Sequence, residues 1–488
     1  MTERMTDDTN LAAIVLAAGL GTRMRSERAK VLHQLGGEPM LLRAMRAVAA
    51  LAPTPLCVVV GHQAREVEAL ARAAFAPGAN SAALAFAPQA EQRGTGHAAR
   101  CGMTAIARDF AGDILVTYGD LPMLSPATLK AFRAAHRAAS SRVSFISVEV
   151  ADAAAYGRVI RDSSNDVTAI VEARDATPAQ LAISEINTGV YLVEAAFLRE
   201  ALDQLAPNNA QGEYYLTDIV GIARGRGMRV LGWRASDAAE FAGINSRQEL
   251  ASMEAEIRDQ VNRKLMAEGV TFIDPATAYI SATAEIGADT VIGPNVQILG
   301  ASKIGRGVRI EGTAWLSDVT IGDRCLLKLG VRAEQCHIGE DSEIGPFAHL
   351  RAGTELAGHN RIGNFVETKK ARFGVGSKAS HLSYLGDAVI GAGTNIGCGV
   401  ITVNYDGYDK FVTEIGDHCM VGCDTQLVAP VQLGDDVYVA SGTTIVRNVA
   451  DGSLVLSHHP QREKSGWTAQ FHKRHEGRRP WWVEKSEK

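Results

Sequence analysis

Apolar positions fall into three unlike patterns along the chain. Between residues 11 and 245, short apolar runs alternate with helical patterns. Residues 12–17, 56–60 and 114–117 read as buried strands, and 39–50, 64–74 and 126–139 as the helices between them. Such alternation predicts crossover connections, a mostly parallel sheet and helices on both faces. Ligands in such folds bind beyond the carboxyl ends of the strands. Residues 246–269 change character: Ser246 with Glu249 is a capping-box signal, the run that follows is charged and helix-forming, and Gly269 suits its end. This segment is expected to be a helical linker.

From 280 to 447 the period becomes six. Ile280, Ile286, Ile292, Ile298, Ile304 and Ile310 are evenly spaced, and the pattern returns at Ile338, Ile344, Leu350, Leu356 and Ile362, at Ile390 and Ile396, and from Ile415 to Ile445. Neither a helix nor an isolated strand needs a period of six. A parallel β-helix does, because each hexad supplies one short strand and one corner. The steps from Ile362 to Ile390 and from Ile396 to Ile415, 28 and 19 residues, are not multiples of six and predict loops that interrupt the coils. The domains expected are therefore 1–245, a linker at 246–269, a β-helix at 270–460 and a tail at 461–488.

Composition narrows the classes. A length of 488 residues suggests roughly three domains, and a hydrophobic fraction of 46% excludes a disordered chain. The formal charge of −5 does not call for nucleic acid, and no apolar run approaches the ~20 residues of a membrane helix. No secretory h-region is visible at the start, and seven Cys without a C-x-x-C pair read as free thiols of a reducing cytoplasm. The tail carries eight Lys and Arg against four Glu, a basic end to an acidic protein.

The first strand runs into Leu16-Ala17-Ala18-Gly19-Leu20-Gly21-Thr22-Arg23-Met24. Glycines let backbone N–H groups approach an anion, and Arg23 and Lys30 supply cations for phosphate oxygens. Met24 stands where a dinucleotide fingerprint needs its third glycine. This loop, with Gln89 to His97 including Gly94-Thr95-Gly96, and with Tyr118-Gly119-Asp120, resembles the sugar-1-phosphate nucleotidylyltransferases. Tyr156-Gly157-Arg158, Val171-Glu172, Glu185-Ile186-Asn187-Thr188-Gly189 and Gly243-Ile244-Asn245 narrow the resemblance. Over roughly residues 11–468 the chain is similar to the bifunctional N-acetylglucosamine-1-phosphate uridylyltransferases and glucosamine-1-phosphate acetyltransferases.

The resemblance implies a Rossmann-like nucleotidylyltransferase domain and a left-handed β-helix. It implies that Asp120 and Asn245 hold Mg²⁺, that Arg23 and Lys30 neutralise the transferring phosphoryl group, and that Leu16, Ala17, Ala18, Gly19, Gln89, Gly94, Thr95, Tyr118 and Gly119 meet the nucleotide. Gly157, Glu172 and Asn187 would contact the sugar. Leu20 departs from the family, which often has a cation there.

In the β-helix, Arg351 and Lys369 lie eighteen residues apart, which is three hexads. If three hexads make one coil, the two cations stack ~4.8 Å apart and call for an anion. His381 falls in the first expected interruption, on a different side from Lys369, so joint action needs a curved site or a neighbouring subunit. By resemblance His381 is the general base, with Glu367 orienting it; Arg351, Lys369, Tyr384 and Asn395 contact the amino sugar phosphate. The same resemblance implies that Cys398, Asn404, Tyr405, Cys423, Ser441 and His458 contact acetyl-CoA. Cys398, Cys423 and Ser441 stand where the family usually has Ala, Ser and Ala, and His458 replaces an arginine. The implied function is acetylation of glucosamine 1-phosphate, then uridylylation of N-acetylglucosamine 1-phosphate by UTP, in a cytoplasmic homotrimer that supplies peptidoglycan and lipopolysaccharide precursors. The competing readings are a nucleotidylyltransferase for another hexose 1-phosphate with an idle β-helix, and a non-catalytic UDP-sugar-binding scaffold.

Overall fold

The computed structural model describes residues 10–75, 83–457 and 461–474. The chain divides into two compact units. One ends at Lys264 and includes Tyr279–Ala282; the other holds Leu265–Ala278 and the chain from Thr283 onward.

The first unit is an α/β sandwich. Its strands are β1 (Leu11–Leu16), β2 (Leu56–Val60), β3 (Leu84–Pro88), β4 (Asp113–Tyr118), β5 (Val143–Glu149), β6 (Arg158–Arg161), β7 (Val167–Val171), β8 (Glu185–Glu194) and β9 (Val230–Arg234). The sheet order is β9-β5-β8-β4-β1-β2-β3, with the β6/β7 hairpin attached to β8. All neighbours along this path are parallel except β8, which runs against β4 and β5. Strand β1 is apolar throughout because both of its faces are covered. Ala12, Ile14 and Leu16 pack with Ala99 and Met103 of the helix Thr95–Met103, while Leu11, Ala13 and Val15 pack with Leu41 and Met45 of the helix Met40–Ala49. The order reverses at β1, whose neighbours β2 and β4 lie on opposite sides. A crevice forms there at the strands' carboxyl ends.

The segment expected as a linker is the helix Arg247–Ala267, and most of it belongs to the first unit. Ile257 is buried against Leu35, Met40 and Ile244, and Glu254 accepts the Gly36 N–H at 2.7 Å. The expected capping box is half formed. Ser246 Oγ accepts the Glu249 N–H at 3.2 Å, but the Glu249 carboxylate takes the N–H of Asn245 (2.5 Å), one residue before the box partner. At the other end, Gly269 N–H reaches Met266 O and Val270 N–H reaches Leu265 O, the paired bonds of a Schellman stop, with Gly269 at φ +96°.

The second unit is a parallel β-helix. One face stacks Ile286, Ile304, Ile321, Ile338, Leu356, Phe373, Ile390, Ile415 and Leu433 in register. Their spacing shows coils of 17 or 18 residues and one of 25. The interruption expected between Ile362 and Ile390 is absent. Thr368, Phe373, Ala379, Leu385 and Ile390 fill the inward positions without a break. Two steps shorten to five, and Thr and Ala stand where an aliphatic marker was sought. His381 therefore lies within the regular strand Lys378–Gly386. The surplus of the long coil is a loop, Asn404 to Val412.

Glu185 ties four strands of the first sheet together. Burial alone would raise its pKa, but hydrogen bonds from Arg161, Ser147 and Arg234, at 2.6–2.8 Å, outweigh it and bring it down to about 2. A depressed carboxylate stabilises the fold fully above its unfolded pKa and loses that contribution as pH falls toward the folded value. Glu185→Gln should cost about 2 kcal/mol near neutrality and flatten the acid dependence of unfolding between pH 4.5 and 2. Urea unfolding monitored at several pH values measures both.

Candidate functional sites

The crevice at β1 and β4 holds two adjoining cavities. One, of about 270 Å³, is lined by Leu16, Ala17, Ala18, Gly19, Lys30, Gln89, Gly94, Thr95, Tyr118 and Asp120, with Gln92 and Glu213 among others. The second, of about 200 Å³, is lined by Gly157, Glu172, Asn187 and Asn245, with Tyr156 and Gly189. Tyr118 and Asp120 line both. Three remote segments meet between them: the Lys30 ammonium is ion-paired with Asp120 and donates to Asn245 Oδ1 at 2.8 Å.

Glycines set this geometry. Gly21, at φ +61°, lies so close to Lys30 that a Cβ would sit 2.7 Å from the lysine's own Cβ. Gly189, at φ +81°, lies against the Tyr118 ring, which a Cβ would meet at 2.0 Å. Gln89 is buried, donates to Gly94 O at 3.2 Å and meets His97 Nδ1 at 3.1 Å, so its amide is held at the cavity wall. Asn187 Nδ2 donates to the Tyr191 hydroxyl at 2.7 Å, and its backbone N–H reaches Gly157 O. Burial raises the Glu172 pKa, although Thr217 donates to the carboxylate at 3.2 Å. Burial and the carboxylates of Glu172 and Asp120 likewise hold the Tyr118 hydroxyl protonated.

Two expected residues stand elsewhere. Arg23 is exposed in the turn Thr22–Met24 and lines neither cavity. Gly119 lies outside both linings; its N–H is bonded to Leu16 O at 2.9 Å. Glu213 lines the first cavity with no sequence motif to mark it.

In the β-helix, strand register pairs Leu350 with Thr368, which stacks Arg351 and Lys369 in successive coils. Arg351 is partnered by Glu367 at 2.8 Å, while Lys369 faces the ammonium of Lys410, from the loop. Lys410 lowers the Lys369 pKa, with desolvation and Arg351 adding and Asp387 opposing. Tyr384 pairs with Glu367 in the next coil, and Asn404 donates to Asp387 at 2.5 Å, so these groups share one edge. Lys410 escaped the sequence reading because the loop has no period.

His381 lies apart from them. It pairs in register with Asn364, and its Nδ1 lies 3.1 Å from Asn364 Oδ1; the positive-φ residues Phe365 and Leu382 turn the chain between this edge and the next face. Within one chain Glu367 does not meet His381 as expected: it is aligned with His349 and Tyr384 and accepts from Arg351. Asn395 lies on the strand face before the His381 edge, with Nδ2 3.2 Å from Met420 Sδ. Cys398, Cys423 and Ser441 follow on the His381 edge, and exposed Tyr405 is in the loop. His458 and part of the basic tail lie outside the described residues. Among those described, no group of three His, Cys, Asp or Glu could hold a metal, and no helix is long and apolar enough to cross a membrane.

Residues 13–213 match the MobA-like NTP transferase domain, 275–370 the GMPPB C-terminal domain, and 413–447 the bacterial transferase hexapeptide repeat. Fold and sites thus define a nucleotidyltransferase joined to a hexapeptide-repeat transferase. The bifunctional protein GlmU of Pelobacter propionicus is 46% identical over 465 residues, covering 95% of this chain and 99% of its own. Those of Geotalea uraniireducens and Trichlorobacter lovleyi are 45% and 44% identical over 458 and 456 residues, covering 94% and 93% of this chain and 98% and 97% of theirs. The chain belongs to the family of bifunctional GlmU proteins.

The like-charge contact in the β-helix has a measurable consequence. Lys410→Ala should raise the Lys369 pKa toward its ordinary value. NMR titration of isotopically methylated lysines reads the shift, and an unchanged Lys369 would remove Lys410 from its surroundings.

Proposed function

We propose that residues 1–245 transfer UMP from UTP to N-acetylglucosamine 1-phosphate and that 270–460 make that substrate by acetylating glucosamine 1-phosphate with acetyl-CoA. Membership of a family of bifunctional proteins supports two activities in one chain. The observation that carries the first is the pair of adjoining cavities with Lys30, Asp120 and Asn245 between them. A nucleotide fits the glycine-lined cavity and a sugar phosphate the one bearing Glu172 and Asn187. The sugar phosphate oxygen attacks the α-phosphorus and pyrophosphate leaves, so positioning and charge neutralisation are what the protein contributes. Lys30 supplies a fixed cation beside the phosphates; Arg23, exposed and outside both cavities, would have to swing inward to add a second. Asp120 and Asn245 already turn two hard oxygens toward one cation, the Lys30 ammonium, and this donor pair fits Mg²⁺ completed by water and phosphate. When bound there, Mg²⁺ would neutralise phosphate charge.

In the acetyl step the neutral amine of the sugar attacks the thioester carbonyl, His381 accepts the amine's proton, and the CoA thiolate leaves. With the Nδ1 proton donated to Asn364 Oδ1, Nε2 is the basic nitrogen. Arg351, Lys369 and Lys410 suit the sugar phosphate, and Tyr384, Asn395, Asn404, Tyr405 and the Cys398–Cys423–Ser441 edge complete the sugar and donor sites. UTP and acetyl-CoA as co-substrates put this work in the cytoplasm, toward cell-wall precursors.

The test is a drop-out assay by chromatography, with wild-type and His381→Ala enzyme. UDP-N-acetylglucosamine should form only with glucosamine 1-phosphate, acetyl-CoA, UTP and Mg²⁺ all present. His381→Ala should lower acetyl transfer at least a hundredfold and recover product when N-acetylglucosamine 1-phosphate is supplied. Uridylylation of that compound without any acetylation by the wild type would leave the β-helix as a scaffold. Asp120→Asn should weaken Mn²⁺ binding, read by electron paramagnetic resonance without turnover.

We further propose a homotrimer, in which one copy's His381 serves the Arg351–Lys369–Lys410 edge of its neighbour. Supporting it, Leu329, Phe347, Phe365 and Leu382 form an exposed apolar ridge, one residue per coil, beside the His381 edge, and Phe347 and Phe365 stack at 5.8 Å. Phe365→Glu should break the assembly in light scattering and lose acetyl transfer while keeping uridylyl transfer. A trimer that survives it would put the contact elsewhere.

A further inference from the structure

Seven cysteines are free, and their surroundings divide them. Burial pushes the thiols of Cys57 and Cys336 up to about 12 and that of Cys325 to about 11, and it raises those of Cys101 and Cys419. Thiols so held react poorly, because the thiolate is the nucleophile. Cys423 is exposed and Cys398 half-buried.

These two are aligned one coil apart. Ile396 is in register with Val421; the Asp424 N–H donates to Cys398 O at 2.7 Å; and a Cβ on Gly397 would lie 2.7 Å from the Cys423 nitrogen. Neighbouring strands of a sheet lie ~4.8 Å apart. Cα atoms at that spacing fall within the ~4.4–6.8 Å that a disulfide spans. The column continues on both sides. Ala379 pairs with Ile396 and Gly399 N–H reaches Leu382 O, which puts His381 one coil before Cys398. Gly442 N–H reaches Cys423 O, which puts Ser441 one coil beyond. The resemblance assigns small residues without thiols to both positions, so the pair belongs to this chain and not to the common machinery.

We propose that Cys398 and Cys423 are a reversible oxidation site: a peroxide joins them in a disulfide that stops acetyl transfer and leaves uridylyl transfer running. Exposed Cys423 attacks the peroxide O–O bond as its thiolate, becomes a sulfenic acid, and one water leaves. The Cys398 sulfur then attacks the sulfenic sulfur, the S–S bond forms, and the hydroxyl departs as a second water. Two thiols and one hydrogen peroxide thus give one disulfide and two waters, with peroxide as the oxidant. A dithiol reverses the reaction by exchange. The effect on acetyl transfer rests on the reading above that this edge carries the acetyl donor, because a disulfide there ties Cys398, directly beside His381, to the next coil of the same column.

The test uses the full-length protein with stoichiometric hydrogen peroxide. Cleavage after Lys410 separates the two cysteines, Cys398 in the peptide 379–410 and Cys423 in 411–447. Mass spectrometry without reductant should find these peptides linked, at 2 Da below the sum of the reduced pair. Acetyl transfer should fall at least tenfold and return with dithiothreitol, while uridylyl transfer stays within twofold. Cys398→Ala and Cys423→Ser, each compared with its own untreated rate, should lose the reversible inhibition, and Cys423→Ser also excludes Cys419 as the partner. Absence of the linked peptides overturns the pairing. Linked peptides with unchanged acetyl transfer overturn the gating. An untreated wild type that never acetylates counts against the proposed function alone, and the linked peptides still decide the pairing.

Discussion

The rise of one β-helix coil, ~4.8 Å, is the constraint on which the second unit depends. Inward residues are closed off from solvent, as at Ile298, Leu316, Leu327 and Ile344, and strands between the end coils are paired on both sides, so an inner coil does not slide without its neighbours. Whatever stands at a corner is repeated into a column. Cations at equivalent places are forced together, and Arg351 and Lys369 are such a pair. Glu367 relieves Arg351, whereas Lys369 meets a further cation from the one long loop. The backbone imposes a repulsion that a bound anion would relieve, and this is why the proposed function puts the sugar phosphate at this edge.

The first unit solves the same problem by convergence instead of repetition. Lys30, Asp120 and Asn245 come from the loop after β1, the end of β4 and the approach to the long helix. Their meeting depends on close backbone approaches at Gly21 and Gly189, where a side chain would strike Lys30 or the Tyr118 ring. Charge compensation within the trio holds the crevice together without a ligand. Under the proposed function, the same two oxygen donors and cation would be shared with Mg²⁺ and the phosphates.

Much of this was legible. The strands at 12–17, 56–60 and 114–117 appear within a residue of their expected ends, because fully buried parallel strands are written as unbroken apolar runs. The period of six exposed the β-helix. It failed where corners shorten to five and where Thr368 and Ala379 take inward places: a Thr can lie inside when bonded, as Thr368 is to Thr354 at 2.9 Å. That concealment turned a continuous strand into an expected loop around His381. Residues that act through tertiary approach left no periodic trace, as with Glu213, Lys410 and Asn364. Motifs located Arg23 in the sequence but could not show that its turn faces outward.

The separation of His381 from Lys369 carries the last step. Both belong to regular, doubly paired strands, with His381 next to the turn at Leu382 and Lys369 at the end of the following face. A hinge that swung one edge to the other would break the ladder on both sides and expose inward residues such as Val366 and Leu385, each worth about 1.5–3 kcal/mol when buried. A flexible enzyme closes over its substrate; a β-helix of this kind cannot. If one reaction uses both edges, the second must come from another copy whose own coil is equally stiff. The site would then be formed by assembly and not by closure. On that reading the apolar ridge beside His381 and the cations on the next edge are parts of one requirement: the fold that aligns the residues within a chain also prevents a single chain from completing the site.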